Sequence, residues 1–111
     1  MSTTPESDIF DRLYAVIRDR AGTPRADSYV SGLLCRGPDA IHAKIDEESA
    51  ELTEASTQRN RDAIVHEAAD LWFHTMVLLG YHEIEPSRIR AELERRWGTS
   101  GLQEKAARSK T

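Results

Sequence analysis

The chain has 111 residues, a formal net charge of −4 and a single cysteine, Cys35. The negative balance argues against a general nucleic-acid binder, which needs a basic face, and one cysteine cannot form an internal disulfide. The sequence shows no basic leader followed by an apolar run, and no stretch of roughly 18 apolar residues that could span a membrane. We therefore expect a cytoplasmic protein that binds neither nucleic acid nor membrane, with Cys35 as a small buried residue.

The spacing of the apolar residues predicts consecutive helices and no strand. The first helix is expected to begin at a Thr4 cap followed by Pro5, and a Gly-Thr-Pro stop ends it. Gly98 closes the last long helix, and Ser100 to Gln103 have the form of a capping box for one further turn. Short linkers favour packed neighbours in a bundle. The five predicted helices cover approximately residues 5–21, 29–34, 38–56, 62–81 and 86–97.

The predicted fold is therefore all-α, with about five helices in one bundle-like domain over residues 1–111. Its ordered core is expected at residues 5–106, with polar, frayed ends. A chain this short buries a limited share of its surface, and the fourth helix is apolar almost all round, so we expect a homodimer to complete the bundle. Trp72, Phe73 and Trp97 are expected in the core.

The third predicted helix carries carboxylates where its apolar face should continue. Between Ile45 and Leu52 the apolar series should include residue 48, which is a glutamate. Glu47 and Glu51 are neighbours of Glu48 on a helix that turns about 100° per residue. Three carboxylates are therefore predicted to cluster at the edge of a face that should be apolar.

The fourth predicted helix is apolar on most sides but carries one narrow polar stripe. Its members are His66, Glu67, Asp70 and His74, which fall within about 100° of one another. The predicted helix contains no lysine or arginine, so the stripe has no cation of its own. A buried carboxylate without a partner is costly, and these acids therefore need a neutralising group.

Glu48 with Glu51, and Glu67 with Asp70, are thus two acid pairs on two apolar helices. If those helices pack face to face, four or five carboxylates surround one point, and a bound cation would neutralise their repulsion. Oxygen ligands on rigid helices suit Mg²⁺ or Mn²⁺ rather than zinc. A cation that keeps open coordination positions is what phosphate chemistry requires.

Simpler interpretations exist for several of these features. A single pair of acids on a helix commonly faces solvent, although two pairs together on apolar faces are less easily explained in that way. The segment from His66 to Asp70 resembles the helix of zinc proteases but has an aspartate where the second histidine is needed. His74 and His82 are expected to be packed or surface histidines rather than ligands.

Several segments resemble the phosphoribosyl-ATP pyrophosphatase family. Its third-helix motif is similar to Gly37-Pro-Asp-Ala-Ile followed by Lys44-Ile-Asp-Glu-Glu-Ser-Ala-Glu51, and its fourth-helix motif is similar to His66-Glu-Ala-Ala-Asp70-Leu. Ser28-Tyr29 and residues 92–106 resemble the flanking parts. The paired acids alone would indicate only the wider all-α nucleoside triphosphate pyrophosphatase superfamily.

The resemblance, which covers most of the chain, implies a homodimeric helical enzyme of histidine biosynthesis. Its reaction would be the Mg²⁺-dependent hydrolysis of phosphoribosyl-ATP to phosphoribosyl-AMP and pyrophosphate. Glu47 would be an accessory ligand or the group that orients the attacking water. Asp46 stands where the family often has a small residue, and it adds a charge beside the acids. The implied metal ligands are Glu48, Glu51, Glu67 and Asp70.

A phosphorylated substrate also needs basic groups to hold its outer phosphates. The candidates are Lys44, Lys105 and Arg108. Two alternatives stay open: a house-cleaning pyrophosphatase for another nucleoside triphosphate, and a non-catalytic helical dimer whose acids bind a structural or regulatory cation. Turnover with Mg²⁺ separates catalysis from binding, and a panel of substrates separates the two enzymes.

Overall fold

The computed structural model describes residues 8–98, which form five α-helices and no strand. The all-α prediction is therefore confirmed for this part of the chain, within which no helix is long and apolar enough to cross a membrane. The predicted capping box at 100–103 lies outside the described residues. The helices are α1 (Ile9–Gly22), α2 (Tyr29–Arg36), α3 (Pro38–Thr57), α4 (Arg61–Tyr81) and α5 (Pro86–Trp97).

The start of α1 differs from the prediction. The helix begins at Ile9, and Asp8 is its N-cap, whose side chain accepts a hydrogen bond from the backbone N–H of Phe10 at 2.7 Å. The predicted start at Pro5 was wrong because Asp8 is an equally good capping residue and lies closer to the apolar residues of the helix. A threonine followed by proline is a start signal only when no later cap competes with it.

The other helices begin and end within two residues of their predicted bounds. Ser28 and Asn60 cap α2 and α4, each through its side-chain oxygen. Pro38 and Pro86 occupy the first turns of α3 and α5, where a missing backbone N–H costs little. Gly98 ends α5, and its N–H donates to the carbonyl oxygen of Glu94. Local sequence signals therefore account for these four helices.

The core lies where α1, α2 and α3 pack around α4. Only residues 58–60 separate α3 from α4, so the two helices pack against each other as an antiparallel hairpin. A side chain at Gly80 would collide with Ile17, so the glycine lets α1 approach the end of α4 closely. The buried apolar residues are Ile17, Leu33, Ile41, Met76 and Val77.

Not all of α4 is covered by the rest of the chain. Trp72 is 58% exposed and Val65 is 69% exposed, so the prediction that Trp72 lies in the core was wrong for one copy of the chain. Phe73 and Trp97 are half-buried. Cys35 is exposed rather than buried, because Ser31 and Leu33 form the buried side of α2. One apolar side of α4 thus has no cover within the described residues.

A charged contact ties α5 to α1. Arg90 donates two hydrogen bonds from Nη2 to the carboxylate of Asp11, at 2.8 and 3.1 Å. The apolar residues Ile89 and Leu93 on the same helix remain exposed. The ion pair therefore links α5 to α1 while these two apolar side chains stay exposed.

Candidate active site

Glu48 is the acid that interrupts the apolar face of α3, and the structure buries it. The residue is only 5% exposed, on the same helix as the buried Ile41 and Ala55. Glu47 and Glu51 flank it and are exposed. One carboxylate oxygen from each of the three glutamates lies within 4.8 Å of the others. The structure therefore brings the three acids of α3 together at one point.

The acids of α4 form a second group. Glu67 and Asp70 are half-buried, and each offers a carboxylate oxygen within 4.8 Å of the other and of a ring nitrogen of His66. The His66 Nε2 atom lies 3.3 Å from Asp70 Oδ2, a contact that becomes an ion pair when the imidazole is protonated. The polar stripe thus contains a partner for Asp70, namely His66, although it contains no lysine or arginine.

The two groups meet across the packing surface between α3 and α4. Burial raises the pKa of Glu67, and the neighbouring carboxylate of Glu51 raises it further, through its charge and through a side-chain hydrogen bond. The charge of Glu48 adds to this repulsion, while His66 opposes it. Glu67 of α4 therefore lies beside Glu51 and Glu48 of α3, and Asp70 belongs to the same group as Glu67 on α4.

Two carboxylate oxygens at this meeting point have no protein partner. Glu48 Oε2 and Glu67 Oε1 are buried without a hydrogen-bond partner among the described residues. Buried oxygens of this kind are costly unless a donor or a cation meets them. Carboxylate oxygens on rigid helices are also the ligands that a hard divalent cation prefers. The residues present therefore fit such a cation.

Lys44 on α3 supplies a positive charge beside the acids, whereas α4 carries no lysine or arginine after Arg61 at its start. Its Nζ atom lies 3.1 Å from Glu47 Oε2 and 3.6 Å from Glu48 Oε1. The hydrogen bond to Glu47 raises the pKa of Lys44. Of the three basic residues that the sequence suggested, Lys44 lies beside the acids, whereas Lys105 and Arg108 lie outside the described residues.

A tyrosine and a histidine at the end of the acid cluster were not predicted as part of the site. The Tyr29 hydroxyl is 2.7 Å from His74 Nε2, and His74 Nδ1 is 2.8 Å from the carbonyl oxygen of Asp70. His74 is 5% exposed, which confirms a packed histidine, and His82 is a surface histidine. No sequence spacing could have joined Tyr29 to His74, because they are 45 residues apart.

Fold and site together define an all-α protein with a carboxylate-lined site between two antiparallel helices, suited to a divalent cation. Within that class, the family model of phosphoribosyl-ATP pyrophosphohydrolase matches residues 10–97. The chain belongs to the phosphoribosyl-ATP pyrophosphohydrolase family. The matched span contains both acid pairs and Lys44, so the family resemblance and the site fall on the same residues.

Curated relatives are similar to the chain over nearly its full length. A phosphoribosyl-ATP pyrophosphatase of Geobacter metallireducens is 50% identical over 103 residues, which cover 93% of this chain and 94% of the relative. The protein of the same name from Ruthia magnifica is 48% identical over 93% of this chain and 98% of its own length. The protein of the same name from Nitrosomonas eutropha is 43% identical over 96% of this chain and 91% of its own length.

Proposed function

We propose that the chain hydrolyses the α–β phosphoanhydride of phosphoribosyl-ATP to phosphoribosyl-AMP and pyrophosphate, the second step of histidine biosynthesis. Family membership and the names of the relatives support the substrate and the reaction. The observation that carries the chemistry is the meeting of Glu48 and Glu67, each with one buried oxygen that has no partner among the described residues.

In this proposal four carboxylates hold Mg²⁺, and Mn²⁺ can replace it. Support comes from the donor set, which consists of oxygens on two rigid helices, and from the absence of protein partners for Glu48 Oε2 and Glu67 Oε1 in the described part of the chain. When bound, the cation neutralises phosphate oxygens and activates water for attack. The proposed ligands are Glu48, Glu51, Glu67 and Asp70.

Two further residues of α3 have proposed roles. Glu47 is exposed, and its Oε2 faces Lys44, which leaves Oε1 to orient the attacking water and accept its proton, or to serve as an accessory ligand. Lys44 holds a substrate phosphate through its ammonium group. Lys105 and Arg108 remain candidates for the outer phosphates.

The direct test is the release of pyrophosphate from phosphoribosyl-ATP in the presence of Mg²⁺. Turnover should stop with EDTA and return with added Mg²⁺, and ATP and dNTPs should be much poorer substrates. Preference for a dNTP would indicate a house-cleaning pyrophosphatase instead. Binding of Mg²⁺ without turnover of any nucleotide would indicate a non-catalytic cation-binding dimer.

A homodimer is part of the same proposal. Val65 and Trp72 lie seven residues apart on α4, on one apolar side that the described chain leaves open, and Ile9 on α1 is 59% exposed. The Phe10 and Trp72 rings touch, with centroids 5.6 Å apart, which joins α1 and α4 into one exposed apolar surface. Contiguous apolar surface of this kind marks a contact with another protein, here a second copy of the chain.

We further propose that the chain forms a single domain and works in the cytoplasm. The free, exposed Cys35 suits a reducing compartment. The net charge of −4 fits a small-molecule substrate better than a nucleic acid.

A further inference from the structure

The hydrogen bonds of His74 fix which of its ring nitrogens carries a proton. Its Nδ1 atom faces the carbonyl oxygen of Asp70 at 2.8 Å, and a carbonyl oxygen can only accept a hydrogen bond. In the neutral imidazole the proton therefore lies on Nδ1, which makes Nε2 an acceptor. The Tyr29 hydroxyl, 2.7 Å away, must then donate its proton to Nε2. Tyr29 is left with an oxygen whose remaining lone pairs can only accept.

This tyrosine oxygen lies at one end of the acid cluster. Because α3 and α4 are antiparallel and Glu67 faces Glu51, each turn forward along α4 corresponds to one turn back along α3. His74 is one turn beyond Asp70 on α4, and Lys44 is one turn before Glu48 on α3. In agreement, Tyr29 lies near enough to Lys44 for the two side chains to interact electrostatically.

Tyr29 is also accessible, whereas its partner is not. The tyrosine is 55% exposed, and His74 is 5% exposed and packed edge-on between the rings of Tyr29 and Phe73. A buried histidine thus holds the hydroxyl of a largely exposed tyrosine beside the acid cluster, through a hydrogen bond that is itself partly buried.

We propose that Tyr29 contacts the substrate, with its hydroxyl oxygen accepting a hydrogen bond from a ribose hydroxyl, and that His74 is the residue that positions it. The proposal rests on the proposed function, since it names a contact to that substrate. Phosphate oxygens cannot be the partner, because at neutral pH they are acceptors too. The sugar hydroxyls of the nucleotide are the donors closest to the phosphates that Lys44 would bind.

Tyr29→Phe tests the contact, because it removes the oxygen and keeps the ring. We expect kcat/KM for phosphoribosyl-ATP to fall about 5- to 10-fold, the loss of one hydrogen bond, mainly through a higher KM. The rise in Tm with Mg²⁺ should be unchanged, since no metal ligand is altered. Tyr81→Phe, at an exposed tyrosine that also touches a histidine ring, is the matched control and should have wild-type kinetics.

Deoxyribose analogues of the substrate identify the donor. With the wild-type protein, one analogue should have a kcat/KM lower than that of the substrate by the same factor that Tyr29→Phe causes. With Tyr29→Phe, that analogue and the substrate should have equal kcat/KM values. The contact to the sugar is wrong if Tyr29→Phe lowers kcat/KM by the same factor for every analogue as for the substrate. It is also wrong if Tyr29→Phe has wild-type kcat/KM. A wild-type protein that does not hydrolyse phosphoribosyl-ATP at all would instead overturn the proposed function.

Two measurements test His74 as the positioning residue. In the ¹⁵N spectrum of the neutral imidazole, the His74 signals should show a proton on Nδ1, and Tyr29→Phe should shift the Nε2 signal. A proton on Nε2 would overturn the arrangement. His74→Gln should lower kcat/KM in the wild type but cause little further loss in Tyr29→Phe, whereas independent losses that multiply would show that His74 does not act through Tyr29. His82→Gln is the control.

Discussion

Lys44 and Glu48 lie one turn apart on α3, and the lysine Nζ atom is 3.6 Å from Glu48 Oε1. The second oxygen of the same carboxylate, Oε2, is buried without a hydrogen-bond partner among residues 8–98. One oxygen of Glu48 therefore lies near a positive charge, while the other is buried without a partner in this part of the chain, and the Glu48 charge also acts on Glu67 of α4. Without a cation, the second oxygen is a source of instability in the folded protein.

The first prediction concerns metal binding and stability. Mg²⁺ should raise the Tm, because a ligand bound only by the folded state stabilises it, by about 2.7 kcal/mol at a hundredfold excess over Kd. Glu48→Gln should remove most of this effect and leave the helix content unchanged. Thermal melts monitored by circular dichroism, with and without Mg²⁺, measure both quantities.

Glu54→Gln is the matched control for the metal effect. Glu54 is exposed on the same helix, and its side chain accepts a hydrogen bond from Gln58 rather than facing the acid cluster. Its substitution should leave the response to Mg²⁺ intact. A wild-type Tm that does not respond to millimolar Mg²⁺ or Mn²⁺ would contradict the proposed metal site.

Much of the fold could be predicted from the sequence because its signals are local. Gly37-Pro38, Pro86 and Gly98 mark helix boundaries through prolines and glycines, and the structure begins or ends helices there. The exposure of Trp72 could not be predicted in the same way. The apolar pattern of a helix is the same whether the helix packs against its own chain or against another copy. The pattern alone therefore assigned Trp72 to the core.

The acids of the site were also accessible from sequence, whereas their partners were less so. Glu48 interrupts an apolar series, which is a periodic signal that one helix carries by itself. The contact of Tyr29 with His74 depends on how α2 packs on α4, and no spacing in the sequence encodes that geometry. Lys44 was recognised as a candidate, but its contact with Glu48 at 3.6 Å required the structure.

The second prediction concerns the exposed apolar side of α4. Trp72→Arg places a charge where the second copy is expected to pack, so it should convert the dimer to a monomer at micromolar concentration. Ser56→Arg adds the same charge at an exposed position near the end of α3 and should leave association unchanged. Light scattering distinguishes the 12.5 kDa chain from twice that mass. A monomeric wild type would contradict the proposed homodimer.

The third prediction concerns the attachment of α5. Asp11→Asn weakens the two charge-assisted hydrogen bonds from Arg90, at 2.8 and 3.1 Å, so the Tm should fall by a few degrees and protease cleavage near α5 should become faster. Glu92→Gln removes an exposed ion pair with Arg95 inside α5 and is the control. Exposed pairs of that kind contribute little to stability. Equal effects of the two substitutions would show that the contact between α1 and α5 has no special role.

The fourth prediction separates stability from turnover in the acids of α4. Glu67→Gln removes a charge that lies beside Glu51 and Glu48, so the metal-free variant should melt at an equal or higher temperature than the wild type. The metal-free Tm of Asp70→Asn should rise less, because this variant also loses the ion pair of Asp70 with His66 at 3.3 Å. Both variants should lose at least about 100-fold in pyrophosphate release with Mg²⁺, the scale expected for groups that stabilise charge in the transition state.

A purely structural role for these acids predicts the opposite pattern. If Glu67 and Asp70 served only to hold α4 against α3, each substitution would lower the Tm and leave turnover near the wild-type value. Glu54→Gln, on the face of α3 that carries the hydrogen bond to Gln58, should change neither quantity. The metal-site hypothesis and the structural hypothesis therefore predict opposite changes in the metal-free Tm as well as different turnover. An Asp70→Asn protein with wild-type turnover would remove Asp70 from the metal site, whereas reduced turnover with an unchanged metal-free Tm would place it there.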